Sequence, residues 1–143
     1  MSLRLRARAN QIVHSHLCRS YPEEGCGVLL GTDSGGTRLV ERAEPVANQR
    51  MDSRGNRYLI SPEDLMQVER SARERDWDVL GFFHSHPDHP PVPSAFDLEN
   101  AWPFYSYLIV SVAGGAVVES RSWRLADDRG AFEPETLELL ADP

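Results

Sequence analysis

A short apolar run that ends in two histidines constrains the fold of this chain more than any other feature. Residues 79–83 read Val-Leu-Gly-Phe-Phe, and His84, Ser85 and His86 follow them directly. A run of this kind predicts a buried strand with the histidines at its end. Because alternate residues of a strand project from the same face, His84 and His86 can direct both imidazoles at one point.

Two converging imidazoles indicate a candidate metal site. Neutral imidazole is a favoured zinc ligand, and a catalytic zinc takes three protein ligands while water fills the fourth position. Asp97, in the first turn of a predicted helix after a proline-rich loop, is a candidate for the third ligand. A simpler interpretation is that Ser94 and Asp97 form only a capping box and that the histidine pair is incidental.

Helical spacing and helix-start residues predict helices in three parts of the chain, at about residues 6–20, 61–74 and 94–100. Apolar runs separated by turn residues predict two hairpins, one within residues 25–40 and the other within residues 105–125. The fold class is therefore expected to be α+β, with a central sheet and two or three helices.

Two further segments carry weaker signals. Residues 47–56 are polar and predict a mobile loop, followed by a short strand at residues 57–60. The acidic tail, residues 127–143, is expected to form a short helix or to fray.

Size and charge limit the function. A chain of 143 residues with 41% hydrophobic content is expected to form a single domain over residues 1–143. The 22 acidic residues outnumber the 15 basic ones, which argues against nucleic acid as a partner. No stretch approaches the ~20 apolar residues that cross a bilayer, and no signal peptide is recognisable. We therefore expect a cytoplasmic protein without membrane contact, in which Cys18 and Cys26 are thiols.

The order of the histidine pair, Ser94 and Asp97 along the chain resembles the signature of the JAMM (MPN+) zinc metalloproteases. That signature is H-x-H-P followed by S-x-x-D. Here H-S-H-P at residues 84–87 precedes S-A-F-D at residues 94–97. That family also has an upstream glutamate before a glycine-led apolar strand, and residues 22–31 resemble this element. The family's E-x-x-G spacing selects Glu24 over Glu23. The whole motif is specific, unlike a lone H-x-H.

The resemblance implies a fold and a set of roles. The fold would be a curved mixed sheet flanked by helices, similar to the cytidine-deaminase architecture. His84, His86 and Asp97 would hold one zinc ion, and Glu24 would act on the metal-bound water as general base and then as general acid. The hydroxyl of Ser94 would help to stabilise the oxyanion.

Competing metal patterns are less consistent with the chain. The run H-S-H-P-D-H at residues 84–89 also fits the metallo-β-lactamase pattern, in which Asp88 and His89 would be ligands. That superfamily needs further histidines downstream, and His89 is the last one in this chain. An amidohydrolase barrel needs about 250 residues. His14 and His16 would point about 200° apart on a helix, so they predict no second site.

Within the family, the chain resembles the small bacterial enzymes that act on ubiquitin-like sulfur-carrier proteins, because it has no long insertion around the motif. Such a carrier is the expected partner. Two alternatives stay open. One is a non-catalytic MPN scaffold, against which the intact ligand set argues. The other is a peptidase for cell-wall or phage-related peptides, a type that carries a second peptidase domain.

Overall fold

The computed structural model describes residues 1–48, 60–126 and 130–142. Within these residues the chain forms seven strands and three helices. The strands are β1 (Ser2–Arg6), β2 (Cys26–Ser34), β3 (Thr37–Val46), β4 (Asp78–Pro87), β5 (Ser106–Ala113), β6 (Ala116–Leu125) and β7 (Phe132–Leu140). The helices are α1 (Ala7–Ser20), α2 (Pro62–Glu74) and α3 (Ala95–Asn100). No helix in this part of the chain is long and apolar enough to span a membrane.

The strands form one mixed sheet that closes into a barrel. Its order is β1-β3-β2-β4-β5-β6-β7, and β7 pairs with β1 to complete the circle. β1 runs parallel to both β3 and β7, and β4 runs parallel to β5, whereas the other neighbours are antiparallel. The predicted α+β class with a mixed sheet is confirmed. The predicted curved sheet flanked by helices differs in detail, because the sheet is closed.

Sequence patterns do not predict the two strands that close the barrel. β1 passes into α1 without an intervening turn. The prediction of a short helix or a frayed end for the acidic tail is wrong, because β7 pairs with both β1 and β6. Its acidic residues meet arginines of the neighbouring strands: Glu138 lies 3.4 Å from Arg4, and buried Glu135 accepts a hydrogen bond from Arg124.

The three predicted helices are confirmed. The hydroxyl of Ser61 caps α2 by accepting a hydrogen bond from the backbone N–H of Asp64, at 3.1 Å. Ala47 and Asn48, at the start of the predicted polar loop, have no regular structure. The rest of that loop and most of the predicted strand at residues 57–60 lie outside the described residues, and Ile60 itself is not in a strand.

Both predicted hairpins are confirmed, as β2–β3 and β5–β6. The second turns at Gly114 and Gly115, whose φ angles are 59° and 81°. Left-handed conformations at two successive residues are typical of the tight turns that join antiparallel strands, and glycine adopts them without steric cost.

β4 lies between two apolar clusters. Phe83 packs into the cluster that contains Val13 and Leu17 of α1, whereas Phe82 packs into the cluster that contains Val68 of α2. Because both of its faces are covered, β4 needs the continuous apolar run that its sequence shows. The strand therefore carries the histidines at its end into a rigid and largely buried position.

Candidate metal centre

His84 and His86 lie near the carboxyl end of β4, and their rings face the same region, as the two-residue spacing predicts. Their Nε2 atoms are 3.2 Å apart, and both side chains are buried. The Nδ1 atom of His86 lies 2.9 Å from the carbonyl oxygen of Pro90. A carbonyl can only accept, so Nδ1 is the protonated nitrogen in this bond. In a neutral ring the Nε2 lone pair is then left for a ligand.

Asp97 comes to the histidines from the first turn of α3. The Ser94 hydroxyl accepts a hydrogen bond from the N–H of Asp97 at 3.0 Å, and the N–H of Ser94 donates to Asp97 Oδ2 at 2.8 Å. This capping box fixes both the helix start and the carboxylate. Asp97 therefore belongs to the cap of α3 and also lies beside the two histidines.

The three groups lie close to the spacing of donors around a tetrahedral zinc ion. Asp97 Oδ1 lies 3.4 Å from His84 Nε2, and Oδ2 lies 3.1 Å from His86 Nε2. Zinc–ligand bonds of about 2.0–2.2 Å at tetrahedral angles place neighbouring donors roughly 3.3–3.6 Å apart. The residues present therefore fit a metal ion of this kind.

The electrostatics of His84 and Asp97 favour the protonation states that bind metal, whereas those of His86 favour the protonated ring. Burial by itself would lower the pKa of His86, but its hydrogen bonds to Asp97 and to the Pro90 carbonyl, with the charges of Asp97 and Glu24, raise it. Burial lowers the pKa of His84 and so favours the neutral imidazole, although Asp97 opposes this effect. Burial by itself would raise the pKa of Asp97. The charge of His84, the hydrogen bonds from both histidines and the N–H of Ser94 outweigh burial and hold that pKa well below its usual range. A neutral imidazole beside an ionised carboxylate is the form in which these groups ligate metals.

Glu24 is the fourth group at this place. It is buried just before β2, and one oxygen of its carboxyl lies within 4.8 Å of ring nitrogens of both His84 and His86. Burial raises its pKa to about 8, against the opposing effect of His86 and with a further rise from Asp97. Glu23, the alternative in the sequence, is exposed. The structure therefore brings Glu24 to the histidines and leaves Glu23 at the surface.

The residues of the lactamase-like pattern lie elsewhere. Asp88 and His89 are exposed on the loop after β4. Both carboxylate oxygens of Asp88 lie 2.9 Å from the hydroxyl of Tyr21, which can donate to them. In the described part of the chain, the side chains whose ligand atoms all lie within 4.8 Å of one another are Glu24, His84 and His86. Asp88, His89 and Asp97 are outside that group, but Asp97 lies within 3.1–3.4 Å of both histidines. Cys18 and Cys26 are both free, as expected.

An apolar cavity of about 610 Å³ adjoins the centre, with Asp97 in its wall. Its other walls come from α2, β4, α3, β5 and the segment between α3 and β5, and they include Leu65, Phe82, Phe96 and Trp102. Trp102 leaves 67% of its surface exposed. Sequence reasoning does not find this cavity, because its aromatic residues are spread over segments that carry no common motif.

Comparison with known proteins assigns the chain. Residues 6–126 match the family described as prokaryotic homologs of the JAB domain. The chain belongs to this family, and the predicted relationship to the JAMM/MPN proteins is confirmed.

Individual relatives agree with this assignment. A desampylase of Haloferax volcanii is 43% identical over 94 residues, which span 65% of this chain and 66% of that protein, just under two thirds. A CysO-cysteine peptidase of Mycobacterium tuberculosis is 29% identical over 131 residues, 91% of this chain and 87% of that protein. The solution structure of a Desulfitobacterium hafniense protein has a TM-score of 0.86 at 30% identity and covers 98% of this chain and 94% of its own.

Proposed function

We propose that this chain is a zinc-dependent peptidase that hydrolyses an amide bond at the C-terminus of a ubiquitin-like carrier protein. One observation carries the proposal: two imidazoles and a carboxylate at ligand spacing share a buried place with the carboxyl group of Glu24. The family resemblance implies a carrier as substrate. The name of the CysO-cysteine peptidase and its match over most of both chains support an amide bond to an amino acid.

The proposed zinc ligands are His84, His86 and Asp97, supported by donor separations of 3.1–3.4 Å. When bound, zinc supplies Lewis acidity and lowers the pKa of a coordinated water to about 7. The chain holds its ligands through other groups. The Pro90 carbonyl orients His86, and the N–H of Ser94 orients Asp97. Outer partners of this kind are typical of protein metal sites.

Glu24 carries the protons. Its carboxylate oxygen takes a proton from the attacking water and later donates it to the departing amine, so the residue ends the cycle as it began. Burial supports the acid half of this role most directly, because a carboxyl with a pKa near 8 is mostly protonated at neutral pH. The ionised form takes the proton from water, and a cation held by the neighbouring ligands would increase the ionised fraction.

Ser94 is the proposed oxyanion stabiliser. Its hydroxyl oxygen already accepts the N–H of Asp97. A hydroxyl that accepts one hydrogen bond still has its own proton to donate, so capping α3 and stabilising a developing negative charge are compatible.

The carrier tail needs an extended path to the centre. β1 pairs with β3 only as far as Val40, so residues 41–46 have one strand neighbour among the described residues. Val46 pairs with Cys26, two residues from Glu24. A Gly-Gly tail that adds to this edge as a strand would be separated from β4 by β3 and β2, so its last residues would have to extend past the start of β2 to meet Glu24. The apolar cavity beside Asp97 could take apolar side chains of the same substrate.

We predict that the purified protein releases an amino acid from the C-terminal Gly-Gly of a small ubiquitin-like carrier. Mass spectrometry of defined conjugates measures the cleavage, which chelator should remove and added zinc restore. Nucleic acid and β-lactams should be left intact. Cleavage of cell-wall peptides but of no carrier would favour the alternative peptidase, and a zinc-loaded chain that cuts neither would favour the scaffold.

A further inference from the structure

Ser85 lies between the two histidines and has no part in the chemistry proposed above. Its side chain is fully buried. Because neighbouring residues of a strand face opposite sides, its hydroxyl points away from the point where the imidazoles meet. There it accepts a hydrogen bond from the backbone N–H of Gly25 at 2.9 Å. Gly25 is the residue that follows Glu24, so this bond connects the strand of the histidines to the segment that carries the carboxyl group.

This bond replaces one of the backbone hydrogen bonds that a regular antiparallel pair would form. β2 and β4 are antiparallel, and Cys26 pairs with His84, so Gly25 and Ser85 stand opposite one another. In a regular hydrogen-bonded pair, the two residues exchange two N–H···O=C bonds. Here the N–H of Ser85 donates to the Gly25 carbonyl at 3.1 Å, but the N–H of Gly25 goes to the Ser85 hydroxyl. The Ser85 side chain thus takes the place of the main-chain acceptor for Gly25, the residue next to Glu24.

Two further contacts restrict the same segment. A Cβ atom on Gly25 would lie 2.5 Å from Ser20 Oγ and 2.9 Å from Leu17 Cδ2, so the end of α1 packs against its backbone. In addition, the side-chain Nδ2 of Asn48 donates to the backbone carbonyl oxygen of Glu24 at 3.0 Å. The backbone of residues 24–25 is thus held between α1, β4 and Asn48. Of these partners, the Ser85 hydroxyl is the one that comes from β4, the strand that carries the histidines.

We infer that Ser85 is a positioning residue for Glu24: its hydroxyl fixes the Gly25 amide and thereby sets the distance of the Glu24 carboxyl from the histidine pair. The expected effect on catalysis rests on the proposed function, whereas the hydrogen bond between Ser85 and Gly25 is independent of it. Displacing a reacting group by a fraction of an ångström to one ångström lowers rates by about 10- to 100-fold. Substrate contacts and metal ligands are not directly involved.

The test is Ser85→Ala, with Ser122→Ala as the matched control. Ser122 of β6 is also a buried strand serine, and its hydroxyl donates to Glu135 of the neighbouring strand β7 at 2.7 Å. We expect Ser85→Ala to lower kcat by about 10- to 100-fold, with KM and zinc content unchanged. Ser122→Ala should leave kcat unchanged. In the Glu24→Gln background, Ser85→Ala should cause no further loss, because the residue acts through Glu24. Ser85→Thr, which retains a hydroxyl, should recover most of the activity.

Amide hydrogen exchange provides a readout that needs no activity. The Gly25 amide should be protected in the wild-type protein and should exchange at least about 10-fold faster in Ser85→Ala. A rapidly exchanging Gly25 amide in the wild type overturns the inference without any variant. So does a Ser85→Ala protein with full kcat, or one whose loss is equally large in the Glu24→Gln background. A wild-type chain that cleaves no conjugate contradicts the proposed function instead, and Gly25 exchange then decides alone whether Ser85 holds the segment.

Discussion

Replacing Glu24 by Gln should lower kcat by at least about 100-fold while the protein keeps its metal and its fold. The glutamine amide has nearly the same shape as the carboxyl group, but it cannot take a proton from water and return it to an amine. Glu24 is buried, so an uncharged amide of equal volume adds no desolvation cost at that position. Steady-state cleavage of a carrier conjugate, with zinc content and melting temperature on the same sample, measures the effect.

Glu23→Gln is the control for this substitution, because Glu23 is the neighbouring exposed carboxylate. We expect it to retain wild-type kcat. If the two substitutions exchange their effects, the assignment of the catalytic carboxyl is displaced by one residue. Full activity in Glu24→Gln would remove the proton-transfer role altogether.

Asp97→Ala should cause the second large effect, loss of tight zinc binding and of cleavage with it. The carboxylate lies 3.1–3.4 Å from both histidine nitrogens, and its removal leaves two ligands where a catalytic zinc needs three. The substitution also breaks the capping box of α3. A lost cap costs about 1 kcal/mol, which is small beside the ~10 kcal/mol or more of a bound structural zinc. Zinc titration and thermal unfolding of the metal-free protein separate the two effects.

Three variants make the Asp97 test specific. Asp97→Asn keeps an acceptor for the N–H of Ser94 but loses the charge, so it should preserve α3 better than Asp97→Ala and still bind zinc weakly. Asp88→Ala and His89→Ala alter exposed residues beside the same histidines and should leave the metal in place. Zinc held at full affinity by Asp97→Ala, but lost in either of these two, would favour the lactamase-like ligand set.

Much of the fold can be predicted from local signals, whereas the closure of the barrel cannot. The glycine pair at 114–115 and the serine caps at Ser61 and Ser94 act within a few residues, so the sequence predicts the hairpin and the helix starts. β1 and β7 depend on each other across the whole length of the chain. Glu138 and Glu135 make the tail polar by composition, whereas backbone pairing with β1 and β6 makes it a strand, and contacts with Arg4 and Arg124 accompany that pairing.

The candidate site, like the fold, can be predicted from the sequence only in part. Side chains with distinctive chemistry, the histidine pair and Asp97, are readable from their types and spacing, and the resemblance selects Glu24. The groups that orient them are not. The acceptor for His86 is a backbone carbonyl, that of Pro90, which any residue could supply. Ser85 occupies the unspecified position of H-x-H, and its partner is the backbone of Gly25. Such partners depend on tertiary geometry, for which the local sequence has no signal.

The metal content of the protein tests the central claim most directly. Protein purified without added zinc should contain one tightly bound zinc ion per chain, measured by elemental analysis against protein concentration. His84→Ala, which removes a buried ring from the centre, should contain almost none. Chelation should abolish cleavage, and one equivalent of zinc should restore it. A folded protein that contains no metal and still cleaves a carrier conjugate would contradict the account.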